Sequence, residues 1–126
     1  MNVLIVDDES KARSLLSTIL KESTAEVTTI LEASTLLEGV EVIKNNKIDV
    51  LFLDIEMPQH SGLELFDFIS VESVNFEIIF TTAYSEYAIK AFEFNALDYL
   101  LKPISFDRFK KALLLFLFKE LVNHVN

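Results

Sequence analysis

Ile48-Asp-Val-Leu-Phe-Leu-Asp-Ile-Glu-Met-Pro58 is the stretch on which the reading of this chain turns. Residues 50–53 form a short unbroken apolar run, the pattern of a strand buried on both faces. The run ends on a carboxylate, Asp54, and Pro58 stops further regular structure. In an open parallel α/β sheet the binding crevice lies at the C-terminal ends of the strands. Asp54 then marks a site if other strands bring partners to the same edge. Alone, it would equally well begin a turn.

The rest of the chain supplies such strands. Val3-Leu4-Ile5-Val6 is a second buried run and ends at Asp7-Asp8. Ser10 opens a helix with Ala12, Leu15, Leu16, Ile19 and Leu20 at helical spacing. Residues 27–31 are rich in β-branched side chains and read as another strand. Ser34 caps a helix with Leu36, Leu37, Val40 and Ile43 inward, and Asn45-Asn46 ends it. Ser61-Gly-Leu-Glu64 is a capping box opening a third helix, with Leu63, Phe66 and Ile69 inward. Residues 76–80 form a fourth strand that runs out at Thr81-Thr82-Ala83. A short helix with Ala88, Ile89 and Phe92 follows Ser85, then a fifth strand at 96–101 ending at Lys102-Pro103. Ser105 caps a long last helix, with Asp107 in its first turn.

Strands alternating with helices predict a parallel sheet covered on both faces. The 126 residues fit one domain, residues 1–126. A net charge of −9 argues against gripping a nucleic-acid backbone or an anionic membrane. With no cysteine, disulfide and thiol chemistry are excluded. The N-terminus lacks a signal-peptide pattern, and the longest apolar run, 112–118, falls far short of the ~20 residues that span a bilayer. A cytoplasmic location is expected. Neither glycine lies in a dinucleotide or Walker loop.

In such a sheet, Asp7, Asp8, Asp54, Thr82 and Lys102 converge on one edge. Crowded carboxylates raise one another's pKa values unless a cation intervenes. An oxygen-rich site of this kind suits Mg2+, which keeps several waters and leaves room for a phosphoryl oxygen. A carboxylate is itself able to act as a nucleophile and form an acyl phosphate.

These residues resemble the receiver domain of two-component response regulators. The marks are Asp7-Asp8, Asp54 with Met57-Pro58, Gly62, Thr82-Ala83 and Lys102-Pro103, in order and at the expected strand ends. The segments Tyr84-Ser-Glu-Tyr-Ala-Ile-Lys-Ala-Phe-Glu93 and Ala96-Leu-Asp-Tyr-Leu-Leu-Lys-Pro103 resemble receivers that precede LytTR-type DNA-binding domains. The resemblance implies a flavodoxin-like doubly wound (βα)5 fold with strand order 2-1-3-4-5. It implies that Asp54 accepts a phosphoryl group from a sensor histidine kinase. Asp8, Asp54 and the backbone carbonyl of Glu56 would bind Mg2+ directly, and Asp7 through metal-bound water. Thr82 and Lys102 would hold the phosphoryl group. Tyr99 matches the aromatic switch position, turning inward when Thr82 moves and remodelling the face of the fourth helix, fifth strand and fifth helix. The Lys102-Pro103 bond is expected to be cis, as in the family. An output domain is expected outside this chain.

Glu56 and Tyr84 flank the expected phosphate pocket and are assigned control of water access to it. His60 and His124 are expected at the surface without chemistry. The last helix is apolar on two sides: Phe109, Leu113 and Phe116 suit the core, and Leu114, Phe118, Leu121 and Val125 form a second stripe. That stripe, or the neighbouring switch face, predicts a homodimer. Two other functions compete. A haloacid-dehalogenase-type phosphohydrolase also uses an aspartyl nucleophile, but it wants an Asp at Glu56, its motif on the first strand, and a cap domain. A receiver that has lost phosphorylation would have no need of the full set Asp7, Asp8, Asp54, Thr82 and Lys102.

Overall fold

Five short apolar segments pair in parallel, and the sheet they form carries helices on both faces. The structure is a computed structural model that describes residues 1–125, with side chains through His124. The strands are β1 (Asn2–Val6), β2 (Thr29–Ala33), β3 (Val50–Asp54), β4 (Glu77–Thr82) and β5 (Asp98–Leu101). Their order is β2-β1-β3-β4-β5. This is the flavodoxin-like arrangement that the resemblance implies.

Central β3 is buried along its whole length, which is why its sequence lacks alternation. Odd-numbered Leu51 and Leu53 join Leu4, Val6, Ile78 and Phe80 on one face of the sheet. Even-numbered Val50 and Phe52 join Val3, Ile5, Ile79 and Leu100 on the other. The first face packs against α2 (Leu36–Asn45) and α3 (Ala88–Glu93). The second packs against α1 (Ser10–Ser23) and α4 (Phe106–Val125). Phe109 of α4 stacks on Phe52 with ring centroids 5.5 Å apart. Each fully buried side chain of this size contributes about 1.5–3 kcal/mol.

Several elements differ from the sequence expectation. β2 lies two residues later than the β-branched run, because Asn2 pairs with Thr29 and Val6 with Ala33. Thr35, not Ser34, caps α2 by accepting from the Glu38 N–H at 3.1 Å. Glu9, not Ser10, is the N-cap of α1. The Ser61–Glu64 capping box forms, yet it opens a 3-10 helix at Gly62–Asp67 instead of an α-helix. Leu63, Phe66 and Ile69 still pack on the core from there. The fourth and fifth helices of the sequence reading are therefore α3 and α4. Leu37 is exposed, contrary to its assignment to the inner face of its helix, and Leu15, Ile89 and Phe92 are exposed as well. In α3 it is Ala91 that is buried, in the same core cluster as Ile78 and Phe80 of β4. Ser105 does cap α4, accepting from the Arg108 N–H at 3.1 Å. The α4 core stripe is buried as expected, while Leu114, Phe118 and Leu121 are exposed. Val125 of the second stripe has a side chain outside the described set. No helix among the described residues is long and apolar enough to cross a membrane.

Candidate functional site

Parallel pairing brings the ends of β1, β3, β4 and β5 to one edge, and polar side chains gather there. Asp7 follows β1 and is 1% exposed, while Asp8 beside it faces solvent. Asp7 Oδ1 accepts the Glu9 N–H at 2.9 Å, and Asp7 Oδ2 accepts from Lys102 Nζ at 2.9 Å. The Arg13 guanidinium donates to the Asp7 backbone carbonyl at 2.6 Å, fixing the chain at this turn.

Asp54 closes β3 and is also 1% exposed. Its Oδ1 has no hydrogen-bond partner among the described residues. Lys102 Nζ stands 3.4 Å away, in ion-pair range but outside hydrogen-bond geometry. The backbone around Asp54 is held on both sides. The Ile55 N–H donates to Thr81 O at 3.0 Å, and the Gly62 N–H donates to Ile55 O at 3.0 Å. Gly62 sits so close that a Cβ there would lie 2.3 Å from the Asp54 carbonyl oxygen. The sequence reading placed this glycine in the motif; the reason it must be glycine is this backbone contact.

Thr82 ends β4 and is fully buried. Its hydroxyl donates to Glu56 Oε2 and accepts the Tyr84 N–H at 3.1 Å. The Ala83 N–H donates to the other Glu56 oxygen at 3.0 Å. Lys102 follows β5, and its backbone N–H donates to Thr82 O at 2.7 Å. The Lys102-Pro103 bond is cis. Tyr99 on β5 is half-buried, and its hydroxyl donates to the Tyr84 carbonyl. Arg108 from α4 grips Asp98 through two contacts of 2.9 and 2.5 Å and reaches Tyr99 O at 3.2 Å.

The electrostatics follow from burial. Desolvation, then the charge of Asp7, pushes the Asp54 carboxyl up from 3.8 to about 7, although Lys102 pulls the other way. Burial alone would lower the Lys102 ammonium; its hydrogen bond to Asp7 and the negative charges of Asp54 and Asp7 outweigh that, and its pKa is raised. Oxygens of Asp7, Asp8 and Asp54 all lie within 4.8 Å of one another. A buried acidic oxygen that accepts no hydrogen bond among the described residues, beside two more acids, fits a hard divalent cation with open positions. With such a cation bound, Lys102 would help it to neutralise an oxyanion placed there.

Residues 3–114 match the response regulator receiver domain family. The chain belongs to this family. It is similar to the transcriptional regulatory protein BtsR of Escherichia coli K12, 47% identical over 113 residues, covering 90% of this chain and 46% of that protein. An uncharacterized response regulatory protein of Vibrio cholerae is 46% identical over 112 residues, covering 89% and 46%. This receiver domain thus spans about half the length of the curated relatives it matches. Among solved structures it is similar to the N-terminal domain of an uncharacterized protein from Wolinella succinogenes, with TM-score 0.80, 32% identity and 98% of both chains covered. It is also similar to the response regulator TrrA of Thermotoga maritima in complex with Mg2+-BeF, with TM-score 0.79, 33% identity, and 91% and 97% covered. Receivers bind Mg2+ at an acidic pocket, and the Asp7, Asp8 and Asp54 cluster has the composition for it.

All five strand-end residues read from the sequence are brought together: Asp7, Asp8, Asp54, Thr82 and Lys102. Tyr84 is exposed, its ring edge-on to Tyr87 at 6.2 Å, and it meets the site through its backbone. His60 is half-buried against Phe68 and Glu64, so its reading as a freely exposed residue is corrected. His124 is exposed as expected. The Glu56 carboxylate on Thr82 and Ala83 was missed. Nothing local announces it, because its partners lie 26 and 27 residues away on another strand.

Proposed function

We propose that this receiver accepts a phosphoryl group on Asp54 from a phosphohistidine of a sensor kinase, and so controls a transcriptional output. The carrying observation is the buried Asp54 carboxylate, with an unbonded oxygen between an acidic cluster and a lysine ammonium. An Asp54 oxygen attacks phosphorus; the P–O bond forms as the P–N bond breaks, and the imidazole leaves. Asp8, Asp54 and the Glu56 backbone carbonyl would hold Mg2+, with Asp7 assisting through water. The cation's chemistry there is to neutralise charge on the phosphoryl oxygens. Lys102 has its ammonium within ion-pair range of both Asp7 and Asp54, so it reaches the new anion with a small movement. Thr82 supplies a hydroxyl donor, and Tyr84 limits water access to the acyl phosphate.

The signal leaves through Tyr99. Its hydroxyl is tied to the Tyr84 carbonyl, whose own N–H is tied to Thr82, so a change at Thr82 alters the seat of the ring. The affected face is α3, β5 and α4, where Ile89, Phe92, Leu101 and the Leu114–Phe118–Leu121 stripe are exposed. A homodimer through this face or the last helix covers that apolar surface. Similarity to BtsR supports a transcriptional role, and the LytTR-like segments point to a DNA-binding partner domain. The acidic receiver itself does not bind nucleic acid, acts in the cytoplasm, and catalyses only its own phosphorylation and dephosphorylation.

The test is intact-mass analysis after acetyl phosphate and Mg2+. Wild type gains one phosphoryl mass, and Asp54→Asn gains none. An unmodified wild type, or an equal adduct on the variant, refutes the assignment.

A further inference from the structure

Glu56 sits two residues beyond Asp54, yet its side chain turns across to the neighbouring strand. One carboxylate oxygen takes the Thr82 hydroxyl proton, and the other takes the Ala83 N–H at 3.0 Å. The Thr82 oxygen is already accepting from the Tyr84 N–H, and the residue is fully buried. Its single proton is therefore committed. These two donors, at the end of β4 beside Asp54, are the ones an oxyanion bound to Asp54 would need. A carboxylate and a phosphoryl group each present a pair of anionic oxygens, and both want charge-assisted donors. The two anions also repel each other.

We infer that the Glu56 carboxylate is an internal stand-in for the phosphoryl oxygens: it fills their seat on Thr82 and Ala83 in the resting protein and must leave before a phosphoryl group is held. This deepens the reading of Asp54 as phosphoacceptor and rests on it. Occupancy of the seat has two effects. The incoming oxyanion competes with Glu56, so its apparent affinity is reduced by the fraction of molecules in which the seat is taken. The hydrogen-bonded path from Thr82 through Tyr84 to the Tyr99 hydroxyl is satisfied before any phosphate arrives. Glu56 thus positions Thr82 and sets how readily the site accepts its ligand. The metal-facing backbone carbonyl of Glu56 is untouched by side-chain substitution.

The experiment compares wild type, Glu56→Ala and Glu56→Gln, using the amide resonance of Ala83 and titration with fluoroberyllate in saturating Mg2+. In the free protein, the Ala83 amide proton is expected downfield in wild type and shifted upfield in Glu56→Ala. Fluoroberyllate is expected to bind Glu56→Ala about tenfold more tightly, the worth of roughly one charge-assisted hydrogen bond. Glu56→Gln, which keeps only one acceptor oxygen, falls between. An Ala83 resonance unmoved in Glu56→Ala, or an affinity no tighter than wild type, overturns the inference. A wild type that takes up fluoroberyllate and the phosphoryl mass while Glu56→Ala gains nothing loses only this inference. A wild type that takes up neither loses the phosphoacceptor reading, and this one with it.

Discussion

Replacing Asp54 by Asn should stabilise the resting protein at high pH, and the size of the gain follows from the site. The two side chains have nearly the same shape, so the change removes a charge and leaves the packing. Burial first, and the Asp7 charge second, raise the Asp54 carboxyl from 3.8 to about 7. A raised pKa means that the folded protein holds the proton more tightly than the unfolded chain. Its contribution is fully present below about pH 4, declines as pH rises, and is lost above about pH 7. At 1.36 kcal/mol per pH unit, the interval gives a ceiling of about 4 kcal/mol at pH 8. Water entering the cleft lowers this, and a gain of about 2–4 kcal/mol is expected. The assay is urea unfolding of wild type and Asp54→Asn in EDTA at fixed ionic strength, from pH 5 to pH 8. The gap should widen with pH, and at about 4 °C per kcal/mol it should also be visible in Tm. Adding Mg2+ to about 100 times its Kd should return about 2.7 kcal/mol to the wild type. Equal stabilities across the range, or a variant less stable at pH 8, refute the claim that Asp54 is held as a strained anion.

Lys102→Met should cost about 3 kcal/mol at pH 8, because Asp7 and Asp54 then remain buried without their counter-charge. Urea unfolding of the double variant with Asp54→Asn checks the cause: recovery of most of the loss is expected, and strict additivity refutes it. Gly62→Ala should destabilise by about 3 kcal/mol, since its Cβ meets the Asp54 backbone carbonyl, which cannot rotate away. An unchanged urea midpoint would show that the loop shifts freely. Phe118→Lys should abolish dimerisation in sedimentation of the fluoroberyllate-bound protein, while a wild type that is monomeric with and without the ligand refutes the dimer.

Much of the architecture is written locally. Val3–Val6 and Val50–Leu53 are apolar on both faces and can only be central strands, and the acids that end them can only lie at the sheet's edge. Parallel pairing then dictates that Asp7, Asp54, Thr82 and Lys102 meet, so the constellation is legible in the sequence. What was not legible depends on contacts between distant segments. The position of β2 follows its register with β1, not its own β-branched run. The capping box at Ser61 specifies where a helix begins but not that it stays 3-10. Gly62 reads as a motif letter until the Asp54 carbonyl appears against it. Glu56 is the sharpest case. In sequence it is an acid two places after another acid, with nothing to say where its side chain turns. Only the docking of β4 beside β3 brings the Thr82 hydroxyl and the Ala83 amide within reach, because hydrogen bonds are short and directional and sequence spacing does not report distance across a sheet.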